Sequence, residues 1–317
     1  MRPIDEVVKR IRRGKVFLIS SHINLEGDSL GSELALAYIL KRLRKKFFIY
    51  NMSGLPRNYR FLPLLDFLKI KRIKEFDTAI ILDCSESNRL GEVKKMLTSD
   101  KVIINIDHHP DNNYFGTVNW VEPTASAVGE LIYKLYKKLK IPLNRDVALC
   151  LYTAIMTDTG GFRNENTTSS THRIIAHLLK YGFKPSSVFE NVYEGHSLSR
   201  MKLLGLGFDN LKMDKKRKIA WMTISQEMLK KAKADLDDIE GFVEIIRSLK
   251  GVKLAILFQE LSDNKIKIGF RSREGIDAGK LASIFGGGGH FAASGCIVEG
   301  KLEKVEKMVI DRIKKEL

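Results

Sequence analysis

Residues 102–112 have the sequence VIINIDHHPDN, in which an apolar run ends in one aspartate and two histidines. The first five residues favour a β-strand, because β-branched side chains dominate them and both faces of such a strand are apolar. A strand of this kind belongs in a parallel sheet that helices cover on both sides. Asp107, His108 and His109 then come directly after the strand, at the edge where parallel sheets bind ligands.

Further apolar runs on either side of this segment alternate with helical periodicity. Strands are predicted at Val16–Ser20, Phe47–Tyr50, Thr78–Leu82 and Val102–Ile106, and helices at Leu30–Arg44, Ser126–Leu139 and Arg145–Thr157. Strands that alternate with helices are typical of the α/β class. We therefore predict a parallel sheet with helices on both faces.

The pattern changes around Pro185. A mostly helical stretch, 186–211, is followed by strand patterns at 219–224, 254–259 and 265–271, with a turn at 262–264, and by helical patterns at 226–232, 239–249, 278–285 and 291–295. This mixture favours a separate, smaller α+β domain. We therefore predict an N-terminal α/β domain (1–185), a helical linker (186–211) and a C-terminal α+β domain (212–317).

Composition limits the function classes. The net charge of +16 favours polyanionic partners such as nucleic acid or phosphorylated small molecules, although a solvated lysine surface also explains it. Three scattered cysteines argue against a disulfide framework and a cysteine-type zinc site. No run reaches the ~18 apolar residues of a membrane span, and the N-terminus predicts a surface helix rather than a secretory signal. We expect a soluble protein of a reducing cytoplasm, with no membrane partner.

Acidic and histidine side chains follow the other predicted strands as well. The segment SHINLEGD, 21–28, follows the first strand, Asp83 follows the third, and Asp158 ends a helix. Singly, these residues have ordinary explanations: Asp28 can be an N-cap, and His22 a loop histidine. Together they place several acids and three histidines in one cleft, where they repel and stay partly protonated unless a cation neutralises them.

Mixed imidazole and carboxylate ligands suit manganese, zinc or iron(II). Two divalent ions about 3.5–4 Å apart are the usual arrangement for hydrolysing phosphate esters. The sequence therefore predicts two divalent metal ions. Manganese is the expected ion, and magnesium, cobalt and zinc stay open as alternatives.

Four segments resemble the motifs of the DHH phosphoesterase superfamily: HINLEGDSLGSELAL from His22, ILDCSESNRLG from Ile81, NIDHHPDN from Asn105 and TAIMTDTGGFRNENTT from Thr153. The tail RSREGIDAGKLASIFGGGGHFAASG, 271–295, resembles the DHH-associated substrate-binding domain. The combination is similar to the NrnA-type subgroup, the bacterial oligoribonucleases and 3′-phosphoadenosine 5′-phosphate (pAp) phosphatases. The resemblance covers almost the whole chain, so it implies a DHH catalytic domain in residues 1–185.

The resemblance also implies a role for each matching residue. One metal ion would be held by His22, Glu26 and Asp83, and the other by Asp28, Asp83, His108 and Asp158, with Asp83 bridging. Asp107 would orient its neighbours. His109 would face the substrate phosphate or the leaving group, where it could donate a proton.

Position 26 departs from the motif, because the family has aspartate where this chain has glutamate. The extra methylene displaces the ion or the loop by about 1 Å, and such a displacement can cost about 10²-fold in rate if nothing compensates. Leu25 also replaces the usual proline, so the loop has room to differ. Glu26 is still expected to be a ligand.

In the C-terminal domain, the glycine run 286–289 lets backbone amides approach a phosphate, and arginines suit bidentate phosphate capture. A tight turn with surface arginines explains the same residues without a ligand. Beside the resemblance, we expect substrate contacts from Arg271, Ser272, Arg273, Gly287, Gly288, Gly289, His290, Arg89 and Arg163.

These features predict a metal-dependent exoribonuclease that degrades very short RNA to 5′-mononucleotides, with pAp as a second candidate substrate. One alternative is a phosphodiesterase for linear or cyclic dinucleotides such as pApA and cyclic di-AMP. Another is a nucleic-acid-binding module without catalysis, which the net charge favours but the intact acids and histidines do not. The sequence sets neither the polarity of digestion nor the oligomeric state, and a homodimer is compatible with it.

Overall fold

The computed structural model describes residues 2–70, 75–216, 218–273, 275–289 and 291–317. The chain divides into two compact units, residues 1–195 and 196–317. Each unit has its own sheet and its own hydrophobic core. The functional residues at the strand ends of the first sheet all lie in the first unit.

The first unit is an α/β domain, as predicted. Its elements in chain order are α1 (Pro3–Arg13), β1 (Val16–Ser20), α2 (Gly27–Arg42), β2 (Lys46–Ile49), β3 (Thr78–Leu82), β4 (Val102–Asp107), β5 (Val118–Val121), α3 (Val128–Leu139), α4 (Arg145–Asp158), α5 (Ser169–Leu179) and α6 (Pro185–Tyr193). All five strands are parallel, in the order β2-β1-β3-β4-β5. Strand β5 and helix α5 were not predicted, and α2 begins three residues before the predicted start.

Alternate side chains of the central strands enter two separate cores. Ile80 and Leu82 of β3 pack into the larger core, which α2, α3 and α4 cover. Ala79 and Ile81 point to the opposite face, where Leu90 belongs to the same apolar cluster. That second face is covered by the 3₁₀-helical segment Ser87–Met96 rather than by long α-helices.

The register of the sheet brings three strand ends together. Ser20 at the end of β1 is opposite Ile81, and Leu82 at the end of β3 is opposite Ile106 in β4. Because β3 lies between β1 and β4, the residues that follow these three strands are neighbours at one edge of the sheet. This edge carries the polar segments singled out in the sequence.

The second unit is a smaller α+β domain, also as predicted. Its elements are α7 (Leu198–Asp209), β6 (Lys212–Asp214), β7 (Ile219–Ile224), α8 (Gln226–Ala232), α9 (Phe242–Ser248), β8 (Leu254–Glu260), β9 (Lys265–Ser272), α10 (Ala278–Ser283), β10 (Gly288–Gly289), β11 (Ala293–Glu299) and α11 (Leu302–Glu316). The strand order is β10-β11-β9-β8-β7-β6, and β7 and β8 form the one parallel pair among these described strands.

One prediction in this unit is wrong and one is confirmed. The stretch 291–295 does not form a helix, because Ala293–Glu299 is a strand that pairs antiparallel with β9 along seven positions. That ladder outweighs the local preference of its small residues. The turn between β8 and β9 is confirmed: Leu261 is opposite Lys265, and Asp263 and Asn264 in the loop between them have φ angles of 62° and 57°.

The predicted linker, 186–211, contains most of α6 and all of α7, and the boundary between the two compact units falls inside it. The division into residues 1–185, 186–211 and 212–317 stays a prediction. Among the residues that the structure describes, no helix is long and apolar enough to cross a membrane.

Candidate metal centre

Seven acidic and histidine side chains converge where β1, β3 and β4 end. Their ligand atoms form three overlapping sets, in each of which the atoms lie within 4.8 Å of one another: His22, Glu26 and Asp83; Asp83, His108 and His109; and Asp28, His108 and Asp158. All six residues predicted as metal ligands are therefore in one cluster. Asp83 and His108 each belong to two sets, which places them at its centre.

Asp83 follows β3 in a strained backbone conformation. Its φ angle is +54°, in the left-handed region that a non-glycine residue seldom adopts, and its side chain is buried. Its carboxylate lies 3.5 Å from Nε2 of His22 and 3.8 Å from Nε2 of His108. Strain of this kind persists where the surrounding structure enforces it, often at functional sites. The position suits a carboxylate that bridges two ions.

His108 is oriented to offer a lone pair to the cluster. Its Nδ1 lies 3.1 Å from the carbonyl oxygen of Ala125, which can only accept, so Nδ1 is the donor and, in the neutral ring, Nε2 carries the lone pair. Nε2 is buried, lies 3.5 Å from Oδ2 of Asp158, and has no hydrogen-bond partner in the described part of the chain. Oδ2 of Asp83 is similarly buried without a hydrogen bond. Buried polar atoms without hydrogen bonds are rare in native proteins, and these two have the chemistry to bind a cation.

Asp28 has three hydrogen-bond partners outside the cluster, one of which is the hydroxyl of Ser32 at 3.1 Å. Its carboxylate accepts hydrogen bonds from the backbone amides of Val128 (2.6 Å) and Gly129 (2.8 Å), the first residues of α3. Asp28 itself lies in the first turn of α2, whose N-cap is Glu26. The alternative explanation of Asp28 as an N-cap of its own helix is therefore wrong; it caps a helix from elsewhere in the chain.

Glu26 stands at the rim of the cluster. The residue is exposed. Its backbone amide donates a 3.0 Å hydrogen bond to Oγ of Ser29, and this bond caps the N-terminus of α2. Gly27 allows the loop to approach α4 closely, because a Cβ at Gly27 would lie 2.4 Å from the side chain of Thr157. Glu26 thus lies beside His22 and Asp83 despite its longer side chain.

The carboxylates compete for protons. The protein atoms around Glu26, together with the charges of Asp83 and Asp158, raise the pKa of Glu26 to about 8. Burial raises the pKa of Asp158 to about 6. Burial also acts to raise the pKa of Asp83, but the nearby ring of His22 and the charges of the other histidines lower it to about 2. Only a bound cation allows all of these groups to ionise together near neutral pH.

His109 is held by a chain of buried polar groups. Its Nδ1 lies 2.8 Å from Oδ1 of Asp107, and Oδ2 of Asp107 accepts a 2.6 Å hydrogen bond from the side-chain amide of Asn112. Burial acts to lower the pKa of His109, but the hydrogen bond to Asp107 and the charge of Asp83 raise it to about 9. The raised pKa favours the protonated ring, which can donate a proton.

Two neighbours of the cluster have roles that the sequence did not reveal. Nδ2 of Asn166 donates to Oδ2 of Asp158 at 3.2 Å and to the carbonyl of Ser126 at 2.9 Å, so Asn166 orients this carboxylate. The hydroxyl of Tyr193 lies 3.5 Å from the carbonyl of Thr157, next to Asp158. No spacing rule could find Tyr193, since it lies on α6, far from the motifs in sequence.

The two arginines predicted near the cluster differ in exposure. The carbonyl of Arg89 accepts a hydrogen bond from the amide of Ile23 at 2.8 Å, beside His22. Nη1 of Arg89 is buried and has no hydrogen-bond partner within the described ranges. Its charge lowers the pKa of Glu26, which places the guanidinium near the cluster. Arg163 is exposed.

In the second unit, the predicted substrate residues are mostly engaged with the protein. Arg271 pairs with Glu244 at 2.7 Å, and the hydroxyl of buried Ser272 donates to the carbonyl of Phe291 at 3.0 Å. Nη2 of Arg273 donates to the carbonyl of Arg247 at 3.1 Å.

The glycines divide by role. A Cβ at Gly287 would lie 2.2 Å from the carbonyl of Gly295, so Gly287 serves close packing. Gly288 and Gly289 are exposed. His290 lies outside the described residues. None of these contacts tests the predicted substrate roles.

Comparison with known proteins accounts for both halves of the chain. The model of the DHH family N-terminal domain matches residues 16–155, and the model of the DHHA1 domain matches residues 218–315. The chain belongs to the DHH family. It is a hydrolase that acts on phosphate esters.

Several relatives are similar over nearly the full length. The Thermus thermophilus protein named bifunctional oligoribonuclease and PAP phosphatase NrnA is 29% identical, with 100% of this chain and 94% of that protein covered. The Bacillus subtilis protein of the same name is 28% identical, with 92% of each covered. The crystal structure of an exopolyphosphatase-related protein from Bacteroides fragilis has a TM-score of 0.91 and 30% identity, covering 99% of this DHH protein and 96% of that chain.

Proposed function

We propose that this DHH protein is an exoribonuclease that degrades very short RNA to 5′-mononucleotides, and that it also dephosphorylates pAp. The observation that carries the proposal is the cluster around Asp83. In it, Oδ2 of Asp83 and Nε2 of His108 are buried and have no hydrogen-bond partner among the described residues. The names of the Thermus and Bacillus relatives support the substrate class. The net charge of +16 fits a polyanionic substrate.

The donor set fits two divalent ions. We assign one ion to His22, Glu26 and Asp83 and the other to Asp28, Asp83, His108 and Asp158, with manganese as the preferred ion for this mixture of imidazole and carboxylate. Bound there, the ions would supply Lewis-acid activation of water and stabilise charge on the phosphate. Asp83 would bridge them.

The protein's own groups supply orientation and a proton. The raised pKa of His109 favours its protonated form, and Asp107 holds the ring through Nδ1; we assign Nε2 to the leaving oxygen of the substrate. Arg89 is partly exposed, and its Nη1 has no hydrogen-bond partner among the described residues, so a guanidinium here suits a phosphate oxygen. We assign phosphate binding to Arg89 and Arg163, and proton donation to His109.

Recognition of the terminal nucleotide is assigned to the second unit. The exposed backbone of Gly288 and Gly289 offers amides for a phosphate, and Arg271 and Arg273 offer guanidinium groups. We include Ser272, Gly287 and His290 in this group as predictions from the family pattern. A cytoplasmic location and a homodimer also stay predictions.

A turnover assay tests the proposal. Purified protein with Mn²⁺ is offered 5′-labelled RNA of two, five and twenty-four nucleotides, with pAp, cyclic di-AMP and pyrophosphate in parallel reactions. We expect the dinucleotide to be the best substrate and the chelator EDTA to stop its hydrolysis. Preference for cyclic di-AMP would favour the dinucleotide phosphodiesterase, and tight RNA binding without turnover would favour a non-catalytic binding module.

A further inference from the structure

A glutamate outside the metal cluster is completely buried. Glu33 lies on α2 and has 0% exposed surface, although glutamate is among the residues that are least often buried. None of the ion pairs between described residues includes it. Its Oε2 accepts a 2.8 Å hydrogen bond from the side-chain amide of Asn51, which follows β2. A carboxyl group in this position is costly unless its hydrogen bonds serve the fold or the site.

Asn51 passes this contact on to the loop that carries His22. Its Oδ1 accepts hydrogen bonds from the backbone amide of Ser21 at 3.2 Å and from the hydroxyl of Ser20 at 3.4 Å. Ser21 is the residue directly before His22. A continuous chain of hydrogen bonds therefore runs from Glu33 through Asn51 to the peptide next to the ligand.

The other side of the same loop is also fixed. The amide of Ile23 donates to the carbonyl of Arg89 at 2.8 Å, and the amide of Asn24 donates to Nδ1 of His22 at 3.2 Å. The loop can shift only if these bonds break or if the Glu33–Asn51 chain breaks. Of these hydrogen bonds, those through Glu33 and Asn51 connect the loop to α2.

The connection to α2 matters because α2 also carries Glu26 and Asp28 at its N-terminus. Glu33 lies five residues after Asp28 on the same helix, which is about 7.5 Å along its axis. We propose that Glu33 and Asn51 are positioning residues that fix His22 relative to the acids of α2, and so set the metal affinity of the set His22, Glu26 and Asp83. This inference rests on the proposed two-metal function.

The competing explanation is that Glu33 and Asn51 only stabilise the fold. Tyr136 offers a matched control, because its buried hydroxyl donates a 2.7 Å hydrogen bond to the carbonyl of Ala35, two residues from Glu33 on the same helix. The Tyr136→Phe variant removes a buried hydrogen bond to α2 without touching the loop of His22.

The experiment titrates each variant with Mn²⁺, measures the free ion by electron paramagnetic resonance, and records kcat and KM on diadenylate. Removing an outer partner of a metal ligand costs about 10–100-fold in metal affinity. In Glu33→Leu we expect one of the two Mn²⁺ sites to lose about 10–100-fold in affinity. We also expect kcat to fall rather than KM to rise. Glu33→Gln keeps an acceptor for Asn51 and should stay near wild type, as should Tyr136→Phe. If Glu33→Leu does not fold, Asn51→Ala breaks the same chain at a half-buried residue.

Two results would overturn the inference: wild-type Mn²⁺ affinity in both folded variants of the chain, or an equal loss of affinity in Tyr136→Phe. Failure of the proposed function is distinguishable. Wild-type protein that binds two Mn²⁺ but hydrolyses neither RNA nor pAp contradicts the proposed function, while the affinity comparison still decides the role of Glu33. Wild-type protein that binds no Mn²⁺ contradicts both.

Discussion

Oδ2 of Asp28 accepts a 2.6 Å hydrogen bond from the backbone amide of Val128, which lies one hundred residues later in the chain. Val128 begins α3, and the residue before it, Ala127, has no side chain that could cap the helix. One carboxylate therefore caps α3 and also belongs to a proposed metal set. The fold and the site depend on the same atoms.

This double role predicts different effects for two members of one ligand set. Asp28→Ala should lower the free energy of unfolding in EDTA by about 1–2 kcal/mol, the usual cost of a lost N-cap. The side chain of Asp158 caps no helix, so Asp158→Ala should leave the stability of the metal-free protein near that of wild type. Both variants should lose metal. Urea denaturation followed by circular dichroism measures this difference. Equal destabilisation by the two variants would contradict the capping role.

Metal binding should release protons. The pKa of Glu26 is about 8 and that of Asp158 about 6 without metal, and both groups must be ionised to bind a cation. Mn²⁺ affinity should therefore rise as the pH increases from about 5 to about 8. Titration calorimetry in two buffers of different ionisation enthalpy counts the released protons at pH 7. Glu26→Gln should release fewer, and an affinity that does not change with pH would argue against these ligands.

Glu33 predicts a pH dependence of stability. Burial raises its pKa from 4.5 to about 8, so between these values the folded protein holds a proton that the unfolded chain has lost. The contribution of Glu33 is fully present below pH 4.5 and is lost as the pH rises to about 8, with a slope of at most about 1.4 kcal/mol per pH unit. Denaturant midpoints of metal-free wild type and Glu33→Gln, measured across this window, should differ in slope. If the midpoints of the two proteins changed with pH in parallel, the predicted contribution of Glu33 to the pH dependence would be wrong.

The departure at position 26 can be tested with the family's own residue. We expect Glu26→Asp to retain diadenylate hydrolysis, because the shorter acid keeps the charge and ligand type. Glu26→Gln should lose about 10²-fold or more, as expected when a ligand is misplaced or absent at the reacting centre. Initial rates at saturating Mn²⁺ measure both. Full activity in Glu26→Gln would remove Glu26 from the site.

The positions of the proposed ligands could be predicted because each follows an apolar strand or ends a helix. Asp83, directly after TAIIL, is the clearest example, since a parallel sheet brings such residues to one edge. The positive φ at Asp83 could not be foreseen, because aspartate tolerates this conformation better than most residues but adopts it at only a minority of positions. It results from the packing of the finished site.

The partners of the ligands were hidden for a different reason. The bond between Asp28 and Val128 and the bond between Glu33 and Asn51 join residues that are distant in sequence, and periodicity describes only neighbours along the chain. Glu33 looks like an ordinary helix residue until its burial is known. Local preference also gave a wrong prediction at 291–295, where a helix was expected. Residues 293–299 instead form a strand, because they pair with β9.

Metal content and hydrolysis measured on the same samples of wild type and Asp83→Ala test the central claim most directly. Asp83 belongs to two of the three ligand sets, so its removal should disrupt both ions. We predict that wild type holds two Mn²⁺ per chain and cleaves diadenylate, and that Asp83→Ala holds fewer than two and does not. Full hydrolysis by Asp83→Ala would contradict the two-metal centre.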